Sequence, residues 1–192
     1  VTDMNHMFYR CKEFDQDIGN WNVSNVTDMS NMFSVCEKFD QYIGNWNVKK
    51  VINMNQMFYE CINFNQDIGN WNVSNVTSMN QIFYNCQKFN QDIGNWNVNN
   101  VTSMSLMFRG CTKFNQDIAN WNVSNNTNTS YIFNNSKFNM LVCQRNMGNI
   151  PDINWMLAKY ICSQNNNKTK NIDFVFIKSM IDHLHNNENI NK

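Results

Sequence analysis

Residues 64–88 read FNQDIGNWNVSNVTSMNQIFYNCQK, and this unit returns every 25 residues without an insertion. Trp recurs at Trp21, Trp46, Trp71, Trp96 and Trp121, and Cys at Cys11, Cys36, Cys61, Cys86 and Cys111. Phe holds two phases, one from Phe8 to Phe133 and one from Phe14 to Phe114, and Ile18 and Val23 begin two further columns. A fixed period of this length marks stacked repeats, each packing chiefly on its neighbours.

Two shorter periodicities alternate inside the unit. In residues 26–36 the apolar side chains fall at Val26, Met29, Met32, Phe33 and Cys36, which is one face of a helix of about three turns. Ser24 and Asn25 stand before it as an N-cap, with Asp28 as a capping-box partner. Trp21 and Val23 alternate with Asn20 and Asn22 as a short strand does, and Gly19 marks a turn or bulge. The expected fold is therefore an α/β repeat solenoid, leucine-rich-repeat-like, with one short parallel strand plus one short helix per repeat. Strands about 4.8 Å apart beside helices about 8–10 Å apart would curve it, whereas 3₁₀-like turns in place of helices would flatten it.

The 192 residues carry 15 Lys+Arg against 15 Asp+Glu, and a net charge of zero argues against nucleic acid or an anionic membrane as partner. No stretch approaches the roughly 18–20 apolar residues of a transmembrane helix. With 42% hydrophobic and 14% aromatic residues the chain is too rich in core formers to be disordered. Asn supplies 41 residues against 2 Ala and 3 Arg, a bias that suits an AT-rich coding sequence.

The run V-x-x-M-x-x-M-F-x-x-C-x-x-F resembles the BspA-like leucine-rich repeats. The fuller unit F-N-Q-D-I-x-x-W-N-V-S-x-V-T-x-M-x-x-M-F is similar to the 25–26-residue repeat of bacterial surface proteins and mycoplasma-type lipoproteins. The match spans about residues 1–139. The resemblance implies a leucine-rich-repeat solenoid displayed at a cell surface and engaged in adhesion or protein binding. The sequence departs from it in carrying no secretion signal, lipobox or wall anchor, and in its last segment.

Residues 1–139 are expected to form the solenoid and residues 140–192 a helical hairpin that caps it. Val1-Thr-Asp-Met matches Val26-Thr-Asp-Met, so the sequence opens in mid-repeat, with its first helix as a crude cap or with a segment missing ahead of it. In the last segment Asp152 precedes an apolar-periodic stretch ending at Ile161, and residues 172–184 are apolar around more than half of a helix.

Asn20, Asn22, Asn45, Asn47, Asn70, Asn72, Asn95, Asn97, Asn120 and Asn122 are the candidate binding residues, because they oppose Trp and Val on what would be the concave, ligand-facing side. Stacked amides also bond one another and nearby backbone, and the same residue in every repeat speaks for that structural role. Asp17, Asp67, Asp92 and Asp117 run beside them, one carboxylate per repeat, too thin for calcium. Helix spacing would hold successive Cys too far apart for disulfides, and no C-x₂₋₄-C pair offers a zinc site, so a buried thiol column is expected. The Trp column is expected in the core rather than as a stacking platform. The outward aromatics are Tyr9, Tyr59 and Tyr84, and the positions that vary between repeats are 9–10, 34–35, 59–60, 84–85 and 109–110, plus the two positions after each Cys, near the ends of the expected helices.

The chain offers no Gly-rich phosphate loop, H-E-x-x-H or G-x-S-x-G, and no cofactor or resident metal is expected. The function that follows is a non-enzymatic interaction or adhesion-type module with a protein or glycan partner. The alternative is a structural protein that self-associates through the open N-terminal end.

Overall fold

A computed structural model describes residues 1–118, 120–124 and 127–136. The expected C-terminal hairpin, residues 140–192, lies outside the described residues. Within them the chain winds into stacked coils of 25 residues, each in register with the next. Isolated parallel bridges join Asp3, Asp28, Asn53, Ser78, Ser103 and Asn128 in turn.

The expected α/β solenoid does not form. Among the described residues there is no helix, and no strand beyond these isolated bridges. Residues 26–36, expected to be helical, instead form a succession of tight turns. The backbone accounts for this donor by donor in residues 29–36. Met29, Asn31, Phe33 and Val35 donate their amides to the carbonyls of Asn53, Asn55, Met57 and Tyr59 in the next coil, at 2.7–3.0 Å. Met32, Ser34 and Cys36 donate back three residues, to Met29, Asn31 and Phe33. Ser30 donates to Asp28 Oδ1 at 2.7 Å. Every amide is satisfied without one helical bond, as buried backbone requires.

Within this segment the cross-coil bonds run from amides of one coil to carbonyls of the following coil; return bonds flank it, from Thr27 to Thr2, Ile52 to Thr27 and Lys38 to Lys12. The groups that a parallel strand would use for the return bonds close turns within the coil instead, so no continuous ladder develops. The turns need left-handed backbone at two places per coil. Asn31 and Val35 sit at φ 56° and 63°, Gln56 and Glu60 at 55° and 56°, and Gln81 and Asn85 both at 55°. Asn tolerates this region, but β-branched Val35 is strained in it. Four-residue recurrence of turns also reproduces the apolar spacing that suggested a helix: Met29, Met32, Phe33 and Cys36 all point inward.

The expected strand, around Trp21 and Val23, crosses no backbone bond to the next coil. Here the side chain makes the link. Trp46, Trp71, Trp96 and Trp121 donate the indole N–H to the carbonyls of Ile18, Ile43, Ile68 and Ile93 in the preceding coil, at 3.0–3.1 Å. Gly69 permits the close approach of the coils, since a Cβ there would stand 2.5 Å from the carbonyl oxygen of Asp92.

Three aromatic columns fill the interior. Phe58 stacks on Phe83 of the next coil at 5.8 Å and on Phe64 of its own coil at 4.1 Å. Trp71 stacks on Trp96 at 6.5 Å. Each fully buried Phe contributes on the order of 1.5–3 kcal/mol of apolar burial.

The thiols finish the core. Cys61 Sγ donates to the Phe33 carbonyl at 2.9 Å, and Cys36, Cys86 and Cys111 repeat this bond to Phe8, Phe58 and Phe83. The helix-spacing argument against disulfides falls with the helices, because bridged coils lie only about 4.8 Å apart. The five cysteines among the described residues are nonetheless free. Each buried thiol is held by a backbone carbonyl rather than by its neighbour's sulfur.

Candidate functional site

With the apolar columns turned inward, the outward columns are what the described coils present to solvent. The ten candidate Asn residues are all exposed, and they divide into two sets. Asn22, Asn47, Asn72 and Asn97 are turn caps: the Oδ1 of each accepts the amide two residues on, from Ser24, Lys49, Ser74 and Asn99, at 3.1–3.3 Å. Ser24 and Ser74 add their hydroxyls to the same oxygens at 2.7 Å. Asn122 occupies the equivalent position in the fifth coil.

The other set, Asn20, Asn45, Asn70, Asn95 and Asn120, is differently placed. Asn45 accepts from Tyr42 Oη at 3.3 Å, and the side chains of the other four face solvent. The neighbouring carboxylates are turn caps as well, since Asp17, Asp67 and Asp92 each accept the amide of the Gly two residues on at 2.9 Å. Among the described residues no group of three or more His, Cys, Asp or Glu side chains is arranged to hold a metal ion.

Sequence reading did not separate these two sets, and it missed further polar ladders. Asp40, Asn65 and Asn90 each pass a side-chain oxygen to the amide of the same column in the next coil, at 2.8–2.9 Å. Their column is identical in kind to the Asn20 column on paper, and only the coil-to-coil geometry shows that its oxygens are occupied. Asp28 makes a single tie of another kind, accepting from Ser30 in its own coil and from the Asn53 side-chain amide of the next at 3.0 Å. Burial opposes its ionisation, but bonds from Ser30 and Asn53, with His6 nearby, outweigh that and hold its carboxyl below the ordinary range.

Apart from Ser34, which is buried, the varied positions lie at the partly or fully exposed side of the turn succession rather than at helix ends. There Tyr59 and Tyr84 stack at 4.6 Å with 11° between their planes. The Arg109 guanidinium lies over the Tyr84 ring, 5.5 Å from its centroid. Burial first, then Glu60 and Tyr84, push the Tyr59 hydroxyl up to about 12. At the first coil Arg10 stands 5.1 Å from the Tyr9 ring, repeating the Arg–Tyr pairing.

The four buried thiols, Cys36, Cys61, Cys86 and Cys111, are poor nucleophiles, whereas Cys11 in the first coil is exposed. Burial, then the adjacent Cys11, push Cys36 up to about 12, and burial holds Cys61, Cys86 and Cys111 higher still. A thiol at such values is protonated at neutral pH and inert. No helix among the described residues is long and apolar enough to cross a membrane.

Residues 1–80 and 61–171 both match the family described as "Mycoplasma protein of unknown function, DUF285". The chain belongs to this family. The two matches overlap within the array and extend past its last described coil, so family membership covers both the repeats and most of the segment after them. No curated protein and no solved structure matches the chain.

Proposed function

We propose that this repeat protein is a non-enzymatic interaction module that binds a protein partner through its outward columns. The observation that carries the reading is where variation falls. Inward columns repeat nearly the same residue and are closed by cross-coil bonds, whereas positions 9, 59, 84 and 109, at least partly exposed, carry Tyr, Tyr, Tyr and Arg, and the same column holds a buried Ser34 in the second coil. Tyr and Arg are the residues that dominate binding energy at protein interfaces. The protonated thiols and the carboxylates committed to turns support the absence of catalysis. Asn20, Asn45, Asn70, Asn95 and Asn120 add a uniform column of amides on another face.

A protein partner suits the stripe better than a glycan. Sugar recognition by aromatics uses the ring face, and here Tyr59 and Tyr84 cover one another while Arg109 covers the other side of Tyr84. The likeness to BspA-like repeats agrees with adhesion-type binding.

The test is binding of the purified chain to peptide and glycan panels. Wild type is expected to bind a subset of the peptides. Tyr59→Ser with Tyr84→Ser should abolish that pattern, and Asn70→Ser with Asn95→Ser should leave it intact. Absence of binding on either panel, together with concentration-dependent assembly by light scattering, would favour the self-associating structural protein instead.

A further inference from the structure

Charge is distributed unevenly along the varied corner. In the first two coils it reads Tyr-Arg-Cys-Lys-Glu at 9–13 and Ser-Val-Cys-Glu-Lys at 34–38. There the two lysines are neutralised reciprocally across the coils: Lys12 pairs with Glu37 at 2.7 Å, and Lys38 pairs with Glu13, while Arg10 lies against the Tyr9 ring. In the fourth and fifth coils the same corner reads Tyr-Asn-Cys-Gln-Lys at 84–88 and Arg-Gly-Cys-Thr-Lys at 109–113. No Asp or Glu occurs between Asp67 and Asp92, or between Asp92 and Asp117.

Lys88 and Lys113 occupy the same phase in adjacent coils, about 4.8 Å apart along the stack. Both are exposed, and no carboxylate pairs with either. Like charges in register repel, and this column tolerates the repulsion where the first two coils cancel it. Arg109 completes the group. Its guanidinium is oriented by the Tyr84 ring, which leaves its donors available for a bidentate carboxylate. Glu60, beside Tyr59, bounds the cationic region on the N-terminal side.

We propose that the corner formed by Tyr84, Lys88, Arg109 and Lys113 docks an acidic peptide segment in extended form. The inference rests on the interaction-module reading and names the partner chemistry of one part of that surface. An extended chain presents side chains on one face at about 6.6–6.8 Å intervals. One carboxylate engages Arg109, and the next lies between the two lysine ammonium groups. The Tyr84 ring edge, which carries partial positive charge, packs against the intervening backbone.

The probe is a fluorescein-labelled peptide of alternating glutamate and glycine, titrated with the full chain at low ionic strength and followed by fluorescence anisotropy. The account expects saturable binding that weakens as salt is added. The triple variant Lys88→Gln, Arg109→Gln and Lys113→Gln should lose about tenfold or more in affinity. The double variant Lys12→Gln and Lys38→Gln, which touches only paired cations, should change it by less than about twofold. A matched lysine–glycine peptide should not bind. The proposal is overturned if wild type leaves the anisotropy unchanged, if both sets of variants lose affinity equally, or if labelled oligothymidine binds as tightly as the peptide. If it fails while the peptide-panel pattern still depends on Tyr59 and Tyr84, the interaction module stands with a partner of other chemistry.

Discussion

Between Met54 and Cys61 the chain gives alternate amides to the following coil, with Gln56 donating to Asn80 and Phe58 to Ile82. Between Ile68 and Val73 no backbone amide crosses, and the tie is the Trp96 indole N–H on the Ile68 carbonyl. The two segments bury comparable apolar columns by different means. One is joined through the main chain and tolerates varied side chains on its outer surface. The other is joined through side chains and holds its sequence nearly fixed. Variation is greater in the segment whose cohesion does not depend on side-chain identity.

Five substitutions probe that contrast, each read as unfolding free energy by denaturant titration. Phe58→Ala removes a ring stacked on Phe33, Phe64 and Phe83, and should cost about 3–5 kcal/mol. In the side-chain-tied segment, Gly69→Ala drives a Cβ into the Asp92 carbonyl oxygen 2.5 Å away and should cost about 2 kcal/mol. If it proves neutral, the coils are not in close contact there.

Asn72→Ala deprives the amide and hydroxyl of Ser74 of their acceptor and should cost about 1 kcal/mol, while Asn70→Ala should lie within about 0.5 kcal/mol of wild type. Equal costs would dissolve the division of the Asn residues into turn caps and free amides. The smallest effect has the opposite sign. Val35→Asn relieves a β-branched residue at φ 63° and should stabilise by about 0.5–1 kcal/mol, with the cross-coil bond from residue 35 to Tyr59 unchanged.

The columns were legible in the sequence because a period of 25 with fixed Trp, Phe and Cys leaves little doubt about what stacks on what. Which residues point inward was legible for the same reason. The backbone scheme was not. Met29, Met32, Phe33 and Cys36 satisfy helical spacing and a turn succession equally, and the deciding fact, that alternate amides leave the coil, involves partners 24 residues away. The intervening Asn, Ser and Asp residues carried a warning, since they favour local side-chain bonds over helix. The error then spread to the cysteines, whose separation had been inferred from helix packing. The Arg109–Tyr84 contact was legible only as two varied positions, because their meeting depends on the short rise between coils.

Successive coils are joined through their turns by alternate amides that reach the following coil, with no helix among the described residues of the repeat. Scalar couplings across hydrogen bonds, measured by NMR on uniformly ¹⁵N,¹³C-labelled protein, test it directly. The account predicts couplings from the Gln56 amide nitrogen to the Asn80 carbonyl carbon and from Phe58 to Ile82. Couplings from Cys61 to Met57 and from Phe58 to Met54, the pattern of a helix within the repeat, would contradict it.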